Sequence, residues 1–494
     1  MNEYDLIVTN AQVVRPDLDR TDVGIDIGIS EGKIVALEAG LAAAADGTEI
    51  VDAGGYLAFP GSVDAHTHMG IYQPLDEDAV SESHAAAVGG TTTVINYMRT
   101  GQYYLNQGGP YEEFFPKVLD LMEGRSHVDY AFHLAPMQAS HIDEIPLLVE
   151  QFGVTSFKIF MFYGSHGLHG RSSDQSEFLM TPPGERYDYA HFEFVMRGIA
   201  RAREQFPEFA DTISLSLHCE TAEIMAAYTK LVEDAGELTG LAAYSASRPP
   251  HSEGLAVTIA SYLAHETDCP TINLLHLSGA KAMDAALRMA RAFPNVNFRR
   301  EVTIGHLLAD IDTANGVYGK VNPPLRPRED VEALWEHVLA GEIDWVVSDH
   351  ACCKMEHKVS AEHPDDIWLA KSGFGGTEYL LSGLFSEGTK RGMAPAAIAK
   401  LVSTNPAARY GLVGKGSLEV GSDADIALLD PNETYVVRAD ESPSSQGYTP
   451  FEGHELTGRV RDVWLRGQRI LADGAVVGSA NGRYQARGPA HRAS

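Results

Sequence analysis

At both ends of the chain apolar and polar residues alternate with a period of two. The segments YDLIVTNAQVV, DVGIDIGISEGKIVAL and EIVDAGGYLAF do so at the start, and ADIALLD, TYVV and VRDVWLRGQRILADGAVV near the end. That period predicts half-buried strands, with turn residues such as Glu31-Gly32 between them. Strands this short bury a face only with partners. Residues 1–58 and 412–480 are therefore expected to assemble into one small β-sandwich domain, with 481–494 left as a tail.

Between these ends the pattern changes. Eight apolar, β-rich segments follow the Pro60-Gly61 punctuation: GSVDAHTH from Gly61, TTTVINYM from Thr91, DYAFHLAP from Asp129, SFKIFMF from Ser156, TISLSLHC from Thr212, TINLLHLS from Thr271, NVNFRREV from Asn295 and IDWVVSDH from Ile343. Helical periodicity separates most of them, over 76–88, 111–123, 189–205, 254–266, 280–292 and 331–339. Apolar strands alternating with helices imply a parallel sheet buried on both faces. Eight such units imply an α/β fold closed into a (β/α)₈ TIM-like barrel over residues 59–411. The longest irregular stretch, Gly164 to Arg186, follows the fourth strand and is expected to be either a lid over the barrel mouth or a disordered insertion.

Composition narrows the class. The chain has 494 residues, 44% hydrophobic and 21% charged, with a formal net charge of −30. Such an acidic surface argues against nucleic acid and anionic membrane as partners. No run approaches the roughly 18 apolar residues of a membrane helix, and MNEYDLIVTN lacks a signal-peptide pattern; the expected location is cytoplasmic. The four cysteines, Cys219, Cys269, Cys352 and Cys353, fit neither a disulfide framework nor a CxxC knuckle.

The candidate chemistry lies at strand ends. His66 and His68 end the first segment, Lys158 lies within the fourth, His218 ends the fifth, His276 falls near the end of the sixth and Asp349 ends the eighth. Barrel sites gather at the C-terminal ends of strands, so six candidate metal ligands converge on one mouth. The HxH spacing turns both imidazoles to one side of a strand. Taken singly, a residue like His218 or His276 is more often a hydrogen-bonded core histidine than a ligand; it is the set that argues for metal. Lys158, costly to bury charged, is expected to have a lowered pKa. Its neutral amine can add carbon dioxide to give a bridging carbamate; the plainer alternative is a lysine reaching to the rim or pairing with Asp349.

The motifs PGSVDAHTH, SFKIFMFY, LHCE, LLHLS and SDH, in this order, resemble the cyclic-amide branch of the amidohydrolase superfamily, most of all the hydantoinase and dihydropyrimidinase family. The resemblance extends through LVSTNPAARYGL, KGSLEVGSDADIALLDP and YTPFEGHELTG. It implies a binuclear hydrolase that opens a cyclic amide with a metal-bridging hydroxide. His66, His68 and Asp349 would hold one zinc and His218 and His276 the other, with carboxylated Lys158 between them. Manganese, cobalt or iron would suit the same ligands. Asp349 would be the proton shuttle. Tyr163 resembles the family tyrosine that donates to the oxyanion, the alternative being a packing role at the rim. The resemblance also implies a homotetramer, to which the tail could contribute.

Substrate contacts depart from the pattern. Asn322 stands where hydantoinases usually offer a serine, and Gly70 stands where dihydroorotases carry a carboxylate-gripping arginine. Ser372 and Gly373 occupy the place of an Asn-Gly-Gly loop. Arg99 is placed to meet an anionic substituent, as are Arg171 and Arg186, unless these are solvent-facing rim charges. His166 and His169 are not expected to be ligands. Two other readings stay open: a mononuclear deaminase or hydrolase of linear N-acyl or carbamoyl compounds, and a non-catalytic scaffold like the dihydropyrimidinase-related proteins.

Overall fold

The computed structural model describes residues 4–44, 47–164, 167–168 and 175–489. Five N-terminal strands come first: β1 (Leu6–Arg15), β2 (Arg20–Ser30), β3 (Lys33–Glu38), β4 (Glu49–Asp52) and β5 (Leu57–Pro60). The barrel strands are β6 (Ser62–Thr67), β7 (Thr91–Met98), β8 (Asp129–Leu134), β9 (Ser156–Phe160), β10 (Ser214–His218), β11 (Thr271–Leu274), β12 (Asn297–Thr303) and β13 (Trp345–Val347). Four more close the chain: β14 (Ile426–Val436), β15 (Glu455–Leu465), β16 (Gln468–Ala472) and β17 (Ala475–Val476).

Strands β6 to β13 pair in sequence order, all parallel. The ring closes where Thr67 bridges to His350 and the His68 amide donates to the His350 carbonyl at 2.7 Å. Asp64, buried in β6, ties that seam by accepting from the Ser348 amide at 3.0 Å and the Thr377 hydroxyl at 2.7 Å. Alternation sets which side chains point inward. The lower interior is filled by Val63, Ala65, Ile95, Ala131 and Val347, and plugged from below by Ala407, Tyr410 and Leu412.

The two ends of the chain meet as expected. β14 pairs antiparallel with β5, joining N- and C-terminal strands in one nine-stranded sheet rather than leaving two separate hairpin systems. Its own core includes Val8, Ile27, Ile426, Leu428 and Trp464. Helices also form over Ala222–Ala235, and over Ala139–Phe152 and Leu380–Lys390, where an internal Pro146 or Gly383 weakens the sequence pattern and tertiary packing decides. Residues 482–489 pack back on their own barrel: Gln485 donates to the Tyr130 carbonyl at 2.8 Å, and buried Arg487 reaches the Ser156 hydroxyl at 2.8 Å. The rest of the tail lies outside the described residues. No helix among the described residues is long and apolar enough to cross a membrane.

Sheet and barrel are locked by one buried lysine. Lys415 Nζ lies 2.7 Å from Asp129 on β8, 2.9 Å from Asp423 and 2.8 Å from Asp425. Burial opposes its charge, but the three carboxylates raise its pKa above the usual lysine value. Replacing Lys415 with Met would strand buried carboxylates, so chemical denaturation should show a loss of about 3–5 kcal/mol; a loss below about 1 kcal/mol would refute the lock.

Candidate metal centre

The six strand-end residues converge. His66 Nε2 lies 3.2 Å from His68 Nε2, 3.2 Å from Lys158 Nζ and 3.1 Å from Asp349 Oδ1. His68 Nε2 is 3.3 Å from the same carboxylate oxygen. His218 packs edge-on against His276, ring centroids 4.3 Å apart, and His276 against His66 at 5.4 Å. His68, Lys158, His218, His276 and Asp349 all line one cavity at the C-terminal ends of the strands. His276 and Asp349 lie just past β11 and β13 with φ of +35° and +56°. Left-handed backbone costs a non-glycine residue on the order of 1 kcal/mol, so packing holds both side chains at the mouth against local preference.

The outer contacts orient the rings. His66 Nδ1 lies 2.7 Å from Glu301 Oε1, and the other oxygen of Glu301 accepts from Trp345 Nε1 at 2.8 Å. Burial pushes the Glu301 carboxyl up to about 8, while Trp345 and Lys158 pull it down. The donors around it suit the carboxylate, so we assign the His66 proton to Nδ1 and the lone pair to Nε2. His68 Nδ1 is 2.7 Å from the Tyr104 hydroxyl, and His218 Nε2 is 2.7 Å from Glu220, itself paired with Arg248 at 2.6 Å. Carboxylate or hydroxyl partners on the far nitrogen are what metal-binding imidazoles use.

Charge is scarce at this centre. Burial lowers the pKa of all four histidines, with Lys158 adding repulsion. Burial also brings the Lys158 ammonium down to about 7, against the pull of Asp349 and Glu301. Asp349 stays below its usual range because His68, His276 and Lys158 outweigh its burial. The result is a set of neutral nitrogen donors around one carboxylate. The Nε2 atoms of His66 and His68 lie 3.2 Å apart, placed to share one cation, and His276 Nδ1 is buried with no hydrogen-bond partner. The ligand atoms of His66, His68 and Asp349 all fall within 4.8 Å of one another. This donor set fits a divalent metal of the zinc type.

The expected substrate residues divide. Tyr163, Asn322, Ser372 and Gly373 line the same cavity. Tyr163 is buried and stacks on Phe160 at 4.7 Å. The Asn322 amide is already engaged, donating to the Leu168 carbonyl at 2.9 Å and accepting from the Tyr244 hydroxyl. Gly373, at φ +103°, donates to the Lys320 carbonyl and accepts from Lys358; a Cβ there would stand 2.9 Å from Ala351. Arg99 is not a rim charge. It is fully buried one layer behind the wall, over the rings of Phe178 (4.7 Å), Tyr163 (5.2 Å) and Tyr104 (5.3 Å). Arg186 is exposed, whereas His166, His169 and Arg171 lie outside the described residues. Of the 164–186 stretch, Leu168 reaches the cavity, and Gln175–Leu179 forms a short helix. Glu301, Tyr104, Glu220 and Arg248 escaped the sequence reading. Only Glu220, two residues past His218, and Glu301, acidic in a buried strand, carried a local signal.

A family model described as "Amidohydrolase family" matches residues 213–470. The chain is 32% identical over 492 residues to an allantoinase of Rubrobacter xylanophilus, covering 98% of each protein. It is 29% identical to a dihydroorotase of Methanothermobacter thermautotrophicus, covering 97% of each. Among solved structures, the dihydropyrimidinase from Brevibacillus agri superposes with a TM-score of 0.82 at 26% identity, over 99% of both chains.

If Glu301 fixes the His66 tautomer, Glu301→Gln should weaken metal retention by about 10- to 100-fold. Metal content after dialysis against graded chelator measures this, with circular dichroism confirming the fold. Undiminished retention would rule the role out.

Proposed function

The chain belongs to the amidohydrolase family, and on that premise we propose that it is a binuclear metal-dependent hydrolase that opens a cyclic amide, imide or ureide ring. The observation that carries the reading is the convergence of six buried ligand-type side chains on one barrel mouth, with His66 Nε2 within 3.2 Å of three of the others. His66, His68 and Asp349 would hold one ion and His218 and His276 the second, with the Lys158 carbamate between them. Zinc suits these donors, and manganese, cobalt or iron are compatible. Bound there, two divalent ions would polarise the amide carbonyl and lower the pKa of water.

The remaining work falls to the chain's own groups. The neutral Lys158 amine adds to carbon dioxide through its lone pair and releases one proton, leaving a carbamate anion. Asp349, ionised despite burial, accepts the proton of the attacking water and hands it to the leaving ring nitrogen. The Tyr163 hydroxyl, held protonated by burial, donates to the carbonyl oxygen as it becomes an oxyanion. The Arg99 guanidinium behind the ring supports that donation electrostatically. Ser372 and Gly373 line the cavity wall where the polar edge of a ring would lie, and the hydroxyl of Ser372, within 3.3 Å of the Tyr244 hydroxyl, is the side-chain group there. Gly70 offers no side chain to grip a substrate carboxylate, which disfavours dihydroorotate; the allantoinase relative puts allantoin first among the candidates. By resemblance the enzyme is a homotetramer, for which sedimentation is the direct measurement.

Zinc-loaded enzyme prepared with bicarbonate should open at least one of allantoin, hydantoins of either hand, dihydrouracil, succinimide or phthalimide, and bind close to two metals per chain. A metal content near one would favour the mononuclear reading, and activity only on linear N-carbamoyl compounds would replace the proposed substrate class. Asp349→Asn should lower turnover by about two or more orders of magnitude while retaining most bound metal. Unchanged turnover would remove Asp349 from its role.

A further inference from the structure

A second cavity, about 400 Å³, opens at the other end of the barrel, beside the starts of β11, β12 and β13. Three arginines from separate elements line it: Arg203 on the helix Tyr189–Gln205, Arg299 on β12 and Arg409 on the helix Asn405–Tyr410. In a chain of net charge −30, three guanidinium groups around one cavity need a cause.

Their counter-charges are incomplete. Arg203 donates to the Ala210 carbonyl and, at 3.1 Å, to the Thr271 hydroxyl. Arg409 donates through Nε to the Asn273 side chain at 2.7 Å. Among the described residues neither has a carboxylate within ion-pair distance. Arg299 pairs with Asp344 at 2.8 Å, but that carboxylate is shared with Arg300 at 3.1 Å. Asp211 also lines the cavity and forms no ion pair with the three. Arg409 is more than nine-tenths buried, and its Nη2, like Nε of Arg299, is buried without a hydrogen-bond partner. An unmatched buried guanidinium is expensive. Burial above all, with repulsion from Arg299 and Arg203, pushes the pKa of Arg409 down to about 10. Structural arginines normally complete their donors with carboxylates or carbonyls; here two donors stay unpaired within the walls of a cavity that all three arginines line. The rest of the lining is neutral: Thr271 and Asn405 supply polar groups and Trp345 an apolar wall.

We propose that this cavity binds a small oxyanion, the phosphate or carboxylate group of a metabolite, between Arg203, Arg299 and Arg409. Planar guanidinium forks match both groups bidentately. The volume leaves room for an organic portion against Trp345. The site lies opposite the metal centre and does not depend on the reading of that centre.

Calorimetric titration of the metal-loaded enzyme with inorganic phosphate and, separately, succinate tests it, in low-salt buffer free of other oxyanions. One saturable site per chain is expected, weakened about tenfold or more in Arg203→Met and in Arg299→Met. Both side chains are only half-buried, so the variants should keep the parent's melting temperature and ring-opening rate. Tighter phosphate or tighter succinate identifies which chemistry the site prefers. Three results would overturn the proposal: no saturable binding of either anion, equal affinity in both variants and the parent, or variants that change the solution mass while the parent binds no anion. The second would locate the anion elsewhere, at the metal centre for instance. The third would make the arginines part of a subunit contact.

Discussion

Glu301 lies where β6, β12 and β13 come together, 2.7 Å from His66 Nδ1 and 2.8 Å from Trp345 Nε1. A fully buried carboxylate is tolerated only if donors replace its water, and here they come from both sides of the barrel seam. With Glu301 ionised, the same contact assigns the His66 proton to Nδ1 and the lone pair to Nε2. It thereby sets the direction in which His66 faces Lys158, His68 and Asp349. Barrel closure and ligand orientation are therefore one constraint. The seam contacts of Asp64 with Ser348 and Thr377 hold the backbone that makes it possible.

Around that contact the mouth is built to keep nitrogen donors neutral. Desolvation lowers the pKa of each histidine and of Lys158, while each far nitrogen given a partner is oriented by one side chain. Glu301 serves His66, Tyr104 serves His68 and Glu220 serves His218. His276 Nδ1 is buried without a partner. These partners come from three separate segments, so the orientation of the centre is distributed over the barrel rather than carried by any one loop.

The opposite end of the barrel shows the reverse electrostatics. At the mouth Lys158 gives up its charge and Arg248 pairs with Glu220, while Arg99 lies among aromatic rings; at the base three arginines line one cavity and, among the described residues, have a single ion-paired carboxylate, Asp344. Trp345 spans the two regions, its ring against the lower cavity and its indole nitrogen on Glu301. One side chain thus touches both the proposed anion site and the carboxylate that orients His66.

By itself the sequence determined the architecture and the identity of the proposed ligands. Apolar, β-rich runs marked all eight barrel strands because a strand buried on both faces tolerates few polar residues. Those it did contain, His66, His68 and Lys158, stood out for that reason. Helices were legible over Tyr111–Met122 and Tyr189–Gln205 despite an internal Pro116 and Gly198, and obscure over Ala139–Phe152, Ala222–Ala235 and Leu380–Lys390, where packing decides. Tertiary structure alone decided the rest. Arg99 looked like a rim charge in NYMRTGQ, yet it is buried behind Tyr104 and Tyr163 because the following turn brings Tyr104, and the segment after β9 brings Tyr163 and Phe178, around it. Asn322 looked free to meet substrate, yet its amide is bonded to Leu168 and Tyr244, from segments remote in sequence. The pairing of Glu301 with His66 spans 235 residues, and the three lower arginines come from positions 203, 299 and 409. Contacts at such separations are set by which strand lies beside which around a closed ring, and no local pattern of residues encodes that.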